Sequence, residues 1–266
     1  MILTRRVALN GNQLDQVDSR IVISGIEPGD GKENISAVDA ASGFGQRITS
    51  NRRSTVDMVV KFRMMEHGRD VTALGERAEI LEKVNAWAAP GGVLTVNYKT
   101  GRRLNVILVQ APGEGSLWDY TKEFTLTFRA YAVPYWEDST ESTETIATAD
   151  DSGSKNITVV GSAQAQIDFE AVNASGTTVD EITLTAGGKT MSFADLALAD
   201  GAKLVVDHVD GLVRIRKTSS GAYVDAMANR TADSADDFLV APGTVACSYT
   251  SDQDCTVKVN WRNRYL

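Results

Sequence analysis

Between Phe124 and Ala130 apolar and polar residues alternate without a break: Phe124, Leu126, Phe128 and Ala130 on one side, Thr125, Thr127 and Arg129 on the other. A period of two commits this stretch to a strand with one buried face and one wetter face. Pro134 has no amide proton to give to a ladder, so regular pairing is expected to stop near Val133. The composition then turns abruptly to Ser, Thr, Asp and Glu over residues 137–154. This break constrains the chain most, because it reads as the end of one fold and the approach to another.

Three segments are therefore expected in the 266 residues: a first domain over 1–136, an acidic Ser/Thr linker over 137–154 and a second domain over 155–266. Each domain is long enough to bury a core of its own. Charge is divided unevenly: residues 1–136 hold 17 Lys and Arg against 15 Asp and Glu, net +2, while residues 137–266 hold 10 against 20, net −10. Phosphate attraction depends on clustered Lys and Arg, so the acidic half argues against sequence recognition of nucleic acid and against an anionic membrane. No run approaches the roughly 20 apolar residues that a membrane-spanning helix needs. The first residues lack the apolar core of a signal peptide, which points to folding in the cytoplasm.

The first half reads as an antiparallel sheet carrying one helix. Residues 7–9 enter an Asn10–Gly11 turn and are expected to pair with residues 20–24. Residues 25–34 and 39–53 read as polar loops, the second holding Arg47, Arg52 and Arg53; long loops without a catalytic motif suit segments ordered by a neighbour. Residues 56–65 alternate as a second long strand, yet Val59 and Met65 place apolar groups on its wet side, as a subunit contact would. Across 70–89 the period lengthens: Leu74, Ala78, Leu81, Val84 and Ala88 form a helical stripe, Arg77 and Glu79 face away, and Asp70 or Thr72 caps the start.

Every strong signal after the break is a short strand, and Gly187–Gly188, Asp200–Gly201 and Asp210–Gly211 mark tight turns. Many short strands at this spacing predict a jelly-roll-like sandwich, so the fold class is mainly β, with a β-rich α+β first domain and a β-sandwich second domain. Cys247 and Cys255 flank Ser-Asp-Gln-Asp, read as a turn; they are either two small strand residues or partners across it.

Catalytic and ligand-binding patterns are sparse. Gly31–Lys32 lacks the rest of a phosphate loop, and His67 and His208 have no Cys, His or carboxylate at zinc-module spacing, so neither cofactor nor metal is expected. Asp207, His208 and Asp210 could gather at a hairpin end, but without a nucleophile elbow they do not make an enzyme. A sugar-binding module would need an aromatic platform, for which Tyr223 and Tyr249 are the candidates; a carbohydrate-binding adhesin is the competing reading.

Taken together, several motifs resemble the distal tail protein of long-tailed, non-contractile bacteriophages. They are Leu9-Asn10-Gly11, the Gly/Arg stretch before residues 55–65, the helix ending in Trp87, and the run Tyr131-Ala132-Val133-Pro134-Tyr135-Trp136. In the second half they are Lys203-Leu204-Val205-Val206-Asp207, Phe238-Leu239-Val240-Ala241-Pro242-Gly243 and the ending Trp261-Arg262-Asn263-Arg264-Tyr265-Leu266. The resemblance departs after Pro242–Gly243, where Thr244 stands near an expected Asn. It implies a hexameric ring at the tip of the tail tube, with a belt-forming first domain and a galectin-like second domain projecting outward. The implied partners are further copies of the chain, the tail tube protein, the hub protein and receptor-binding or baseplate proteins, in a virion assembled in the host cytoplasm.

Overall fold

The structure, a computed structural model, describes residues 5–29, 33–39, 46–53, 55–65, 71–113 and 123–266, with the backbone alone for 33–39 and 46–53. The described residues form a mainly β fold that divides into two compact units, Met1–Trp136 and Glu137–Leu266.

In the first unit, β1 (Val7–Leu9), β2 (Asn12–Gln13), β3 (Ile21–Pro28), β4 (Glu33–Asp39), β5 (Gln46–Arg53) and β6 (Val56–Met64) precede the helix α1 (Val71–Ala88). After it come β7 (Gly92–Val96), β8 (Arg102–Gln110) and β9 (Phe124–Ala130). Seven strands make one antiparallel sheet in the order β2-β1-β7-β8-β9-β6-β3, while β4 and β5 pair only with each other. The alternation expected of β6 and β9 is present: Met58, Val60, Phe62, Leu126 and Phe128 are fully buried, with Phe62 stacked on Phe124 at 5.4 Å. The helix covers this face, and Trp87 meets Phe128 edge-on at 6.1 Å while its indole N–H donates to the Asn12 carbonyl at 2.9 Å.

Three expectations change in detail. The buried stripe of α1 is Ala73, Arg77, Ile80, Leu81, Val84 and Ala88, so Arg77 faces inward, with its Nε donating to the Ala73 carbonyl at 3.3 Å. Leu74 and Ala78 are only half-buried. A helical stripe can rotate by one residue when an Arg lays its aliphatic stem along the apolar face. Second, β1 turns through Asn10 and Gly11, at φ 52° and 83°, into β2 and pairs on its other side with β7, whereas residues 21–28 pair with β6. The turn signal fixes a hairpin but not its sheet neighbours. Third, the expected loops over 25–34 and 39–53 are in part strands: residues 25–28 belong to β3, 33–34 and 39 to β4, and 46–53 to β5. The Asp70 cap and His67 lie outside the described residues.

The second unit begins within β10 (Trp136–Asp138) and continues with β11 (Ser142–Val159), β12 (Ala165–Asn173), β13 (Ile182–Ala186), β14 (Lys189–Phe193), β15 (Lys203–Val209), β16 (Leu212–Ser219) and β17 (Ala222–Asp225). It ends with β18 (Leu239–Val240), β19 (Gly243–Trp261) and β20 (Arg264–Tyr265). The long strands β11 and β19 pair along their whole length, with register shifts between Thr145 and Ser152. Up to Ser251, β19 also pairs with β13; beyond Cys255 it pairs with β12. The two strands therefore bend and pass from one layer to the other, giving one sheet β14-β13-β19-β11 and another β11-β19-β12-β15-β16-β17 around one core. This is a β-sandwich.

The expected linker over 137–154 is thus absent: most of it is the first part of β11. Its partner lies on one side only, so its free edge and outer face are solvated, and Ile146, Ala147, Ile157 and Val159 suffice to anchor it. Acidic and hydroxyl residues that read as a solvated tether are also what a solvated edge strand carries. Likewise, no turn separates the cysteines. Cys247 and Cys255 are free, buried and on the same strand.

Candidate functional site

In the first unit, the face of the sheet opposite the helix is the surface to which the sequence assigned Val59 and Met65. Val59 sits half-buried in the middle of β6, opposite Glu27 on β3 and Thr127 on β9. Cross-strand ion pairs surround it. Arg129 grips Asp57 with two hydrogen bonds at 2.6 and 2.8 Å, and Lys61 meets Glu27 at 2.5 Å. The Arg129 hydrogen bonds hold the Asp57 carboxyl below its usual range, and the Glu27 hydrogen bond raises Lys61. Val22 on β3 and Ile107 on β8 add exposed apolar groups to this face. The two ion pairs neutralise their own charges, and exposed apolar groups lie among them.

Met65 is exposed just beyond β6, its amide bonded to the Arg20 carbonyl at 2.7 Å. Beneath it a clamp joins the start of β3 to the helix: Arg20 binds Asp18 at 3.0 Å and Glu76 at 2.9 Å, and Lys83 reaches Asp18 at 3.3 Å. The Arg20 hydrogen bonds, helped by Lys83, hold the Asp18 carboxyl far below its usual range. Arg47, Arg52 and Arg53 all belong to β5; their side chains lie outside the described residues.

Two further features bear on assembly, and sequence reasoning missed both. Strand β3 closes the sheet with only β6 beside it, so its other edge is unpaired by any described strand. The β4–β5 hairpin has no third strand among the described residues. Which strand ends a sheet is decided by pairing across the fold, so no local signal marks it.

The second unit separates the two sugar-platform candidates. Tyr249 is not a platform: it is 1% exposed, and its hydroxyl donates to the Asp150 carbonyl at 3.0 Å and pairs with Ser251 Oγ at 2.5 Å. Being on the inward parity of β19 decides this. Tyr223 is exposed on β17, and the Arg216 guanidinium lies 4.4 Å from its ring centroid, covering one of the two faces that a sugar would stack on.

Nor do Asp207, His208 and Asp210 form a unit. His208 is buried with its Nδ1 2.5 Å from Asp168, whose carboxyl burial pushes up, partly offset by His208 itself. Asp207 binds Arg214 and Arg216 at 2.7 and 2.8 Å, which outweigh its burial and keep its carboxyl low. Burial drives the Cys247 thiol up to about 11, the opposite of an activated nucleophile. Among the described residues no three His, Cys, Asp or Glu side chains are grouped to hold a metal ion, and no helix is long and apolar enough to cross a membrane.

No protein-family profile and no curated protein sequence matches this chain. Its fold does match solved structures. It is similar to the Dit (gp 19.1) protein of phage SPP1, a structure described as a paradigm of the hub adsorption apparatus in phages infecting Gram-positive bacteria. The TM-score is 0.66 at 16% identity, over 98% of this chain and 99% of that one. It is also similar to a chain in the activated baseplate of phage P2 with calcium, with a TM-score of 0.51 at 7% identity over 98% of both chains. The likeness in fold thus extends through both units.

Proposed function

We propose that this chain is a structural protein of a bacteriophage tail tip, which assembles into a hexameric ring at the distal end of the tail tube. The ring joins the tube to the hub and to receptor-binding or baseplate proteins, and the work it does is assembly without turnover. The observation that carries this reading is the match to the SPP1 Dit protein over essentially the whole of both chains, rather than over one common domain. The protein would act in the virion after assembly in the host cytoplasm.

The first unit supports the self-association part of this reading. An eight-residue edge strand, β3, can add a further strand to its sheet. A two-stranded hairpin is at best marginal in water and gains stability by packing on something else, so β4 and β5, with Arg47, Arg52 and Arg53, suit a contact made to a neighbouring copy. Val59, Met65, Val22 and Ile107 supply apolar area that a ring contact would cover. The second unit, as the acidic one, is assigned the contacts with peripheral proteins.

The test is direct. Purified chain is examined by mass photometry and negative-stain imaging over a range of concentrations. The expected result is a particle of six times the 28.6 kDa chain mass with a central hole. A chain that stays monomeric at every concentration, with no ring in the images, removes the proposal.

A further inference from the structure

The hairpin of β13 and β14 ends one sheet of the sandwich, with β13 the only strand beside β14 among the described residues. Its turn, Gly187–Gly188, is closed by the pair Ala186–Lys189, so Lys189, Met191 and Phe193 direct their backbone groups toward β13. Thr190, Ser192 and, just beyond the strand, Ala194 direct theirs outward. That outer edge is covered by the segment after β17. Ala235 donates to the Thr190 carbonyl at 2.7 Å, Thr231 to the Ser192 carbonyl at 2.9 Å, and the Ala194 amide to the Asn229 carbonyl at 2.9 Å. Side chains add to this cover: the Ser192 amide donates to Ser234 Oγ at 2.9 Å, and Asn229 Nδ2 donates to the Ala194 and Asp195 carbonyls at 3.1 and 2.7 Å.

What holds this segment differs from what holds the strands. No residue from Met227 to Asp237 is buried, while Ala226 and Phe238 on either side are 0% exposed. Ala226 donates to the Ile215 carbonyl at 3.0 Å. Phe238 packs on Phe169 with ring centroids 5.0 Å apart, and its carbonyl accepts from the Ile167 amide at 3.1 Å. Two posts set in the core thus carry a span that has no apolar anchor of its own and is kept down by polar contacts that water can replace. The Lys189–Asp237 ion pair at its end is 41% exposed on both partners and adds little. Within the span, Arg230 pairs with Asp236 at 2.7 Å and the Ser234 amide donates to the Thr231 carbonyl at 3.2 Å, which ties its two halves together. We infer that residues 227–237 form a strap that guards the β14 edge and lifts from it as one unit while the sandwich stays folded. Closed, the strap satisfies the outward backbone groups of β14 and keeps other strands from pairing there; lifted, it bares that edge without opening the core. The contacts that define it lie within the second unit, so the inference stands apart from ring formation.

Hydrogen–deuterium exchange of the full chain, resolved to single residues by electron-transfer fragmentation, tests this. The amides of Ser192, Ala194, Thr231 and Ala235 are expected to share one protection factor, at least tenfold below that of Met191 and Phe193, which lie on the same strand but bond to β13. Urea up to about 1 M should leave the first group's protection unchanged, because lifting the strap exposes little new surface. In Asn229→Ala the four amides should lose protection together, at least threefold, with Met191 and Phe193 unmoved. Limited trypsin digestion of the unaltered protein should cut after Arg230, in the middle of the strap, before it cuts after Arg214, Arg216 or Lys217 on β16. Ser192 and Ala194 as protected as Met191 and Phe193 overturn the inference, because the strap then opens only with the sandwich. So do four unrelated protection factors, equal loss in both groups with urea or in Asn229→Ala, or a first tryptic cut in β16.

Discussion

Tyr249 and Asp18 show how single side chains hold this molecule in shape. The Tyr249 hydroxyl sits where β11 and β19 change layer, bonded to the Asp150 carbonyl on one strand and to Ser251 on the other. Tyr249→Phe keeps the ring and strips those bonds from a buried site, a loss of about 1–2 kcal/mol in the unfolding of the second unit, read from urea melts. Asp18 is a matter of pH. Its folded carboxyl lies far below the unfolded value of about 4, so its contribution is complete above that value and declines as pH falls toward the folded one. The stability difference between the wild type and Asp18→Asn is therefore expected to be full at pH 7 and to shrink steadily below about pH 4. A difference that is unchanged at pH 2.5 would show that the clamp with Arg20 and Lys83 is not its source.

Among the elements, β11 carries the largest revision. Pairing with β19 requires Gly153 at its bend: a Cβ there would stand 2.2 Å from the Ile146 carbonyl oxygen, an encounter with backbone that no rotamer relieves. Gly153→Ala is expected to cost about 1–3 kcal/mol. Amide exchange checks the element itself. Within 142–147 and 154–159 the alternate amides that face β19 should exchange slowly, as paired strand does, whereas in a solvated tether every amide would exchange at once. The strands read correctly from sequence, β6 and β9, are those buried on one face and wet on the other, where alternation records the environment. Edge strands such as β11 and β17 carry a weaker record, because solvent reaches one side of each and both faces of β17 and of the middle of β11.

At the scale of the whole molecule, the outer face of the first sheet is the surface that assembly would consume. Val59→Glu introduces a charge between Glu27 and Thr127 without opening the core, so the melting transition of the purified protein should move little while ring particles are lost from mass photometry. Rings that persist in this variant would place the contact elsewhere in the first unit. The sequence by itself determined the mainly β class, the break near Trp136, the helix, and the turns at Asn10–Gly11, Gly187–Gly188 and Asp210–Gly211, all of which adopt the positive φ those residues allow. Each of these is a local property, set by periodicity or by the conformational freedom of a few residues. Only the tertiary structure decided that residues 142–159 form a strand shared by two sheets, that Arg77 points inward, that Tyr249 is a buried brace while Tyr223 stands at an edge, and that β3 and β17 each have a single neighbour among the described strands. Those depend on which strand lies beside which, and neighbours distant in sequence choose that by burying area and satisfying backbone groups together.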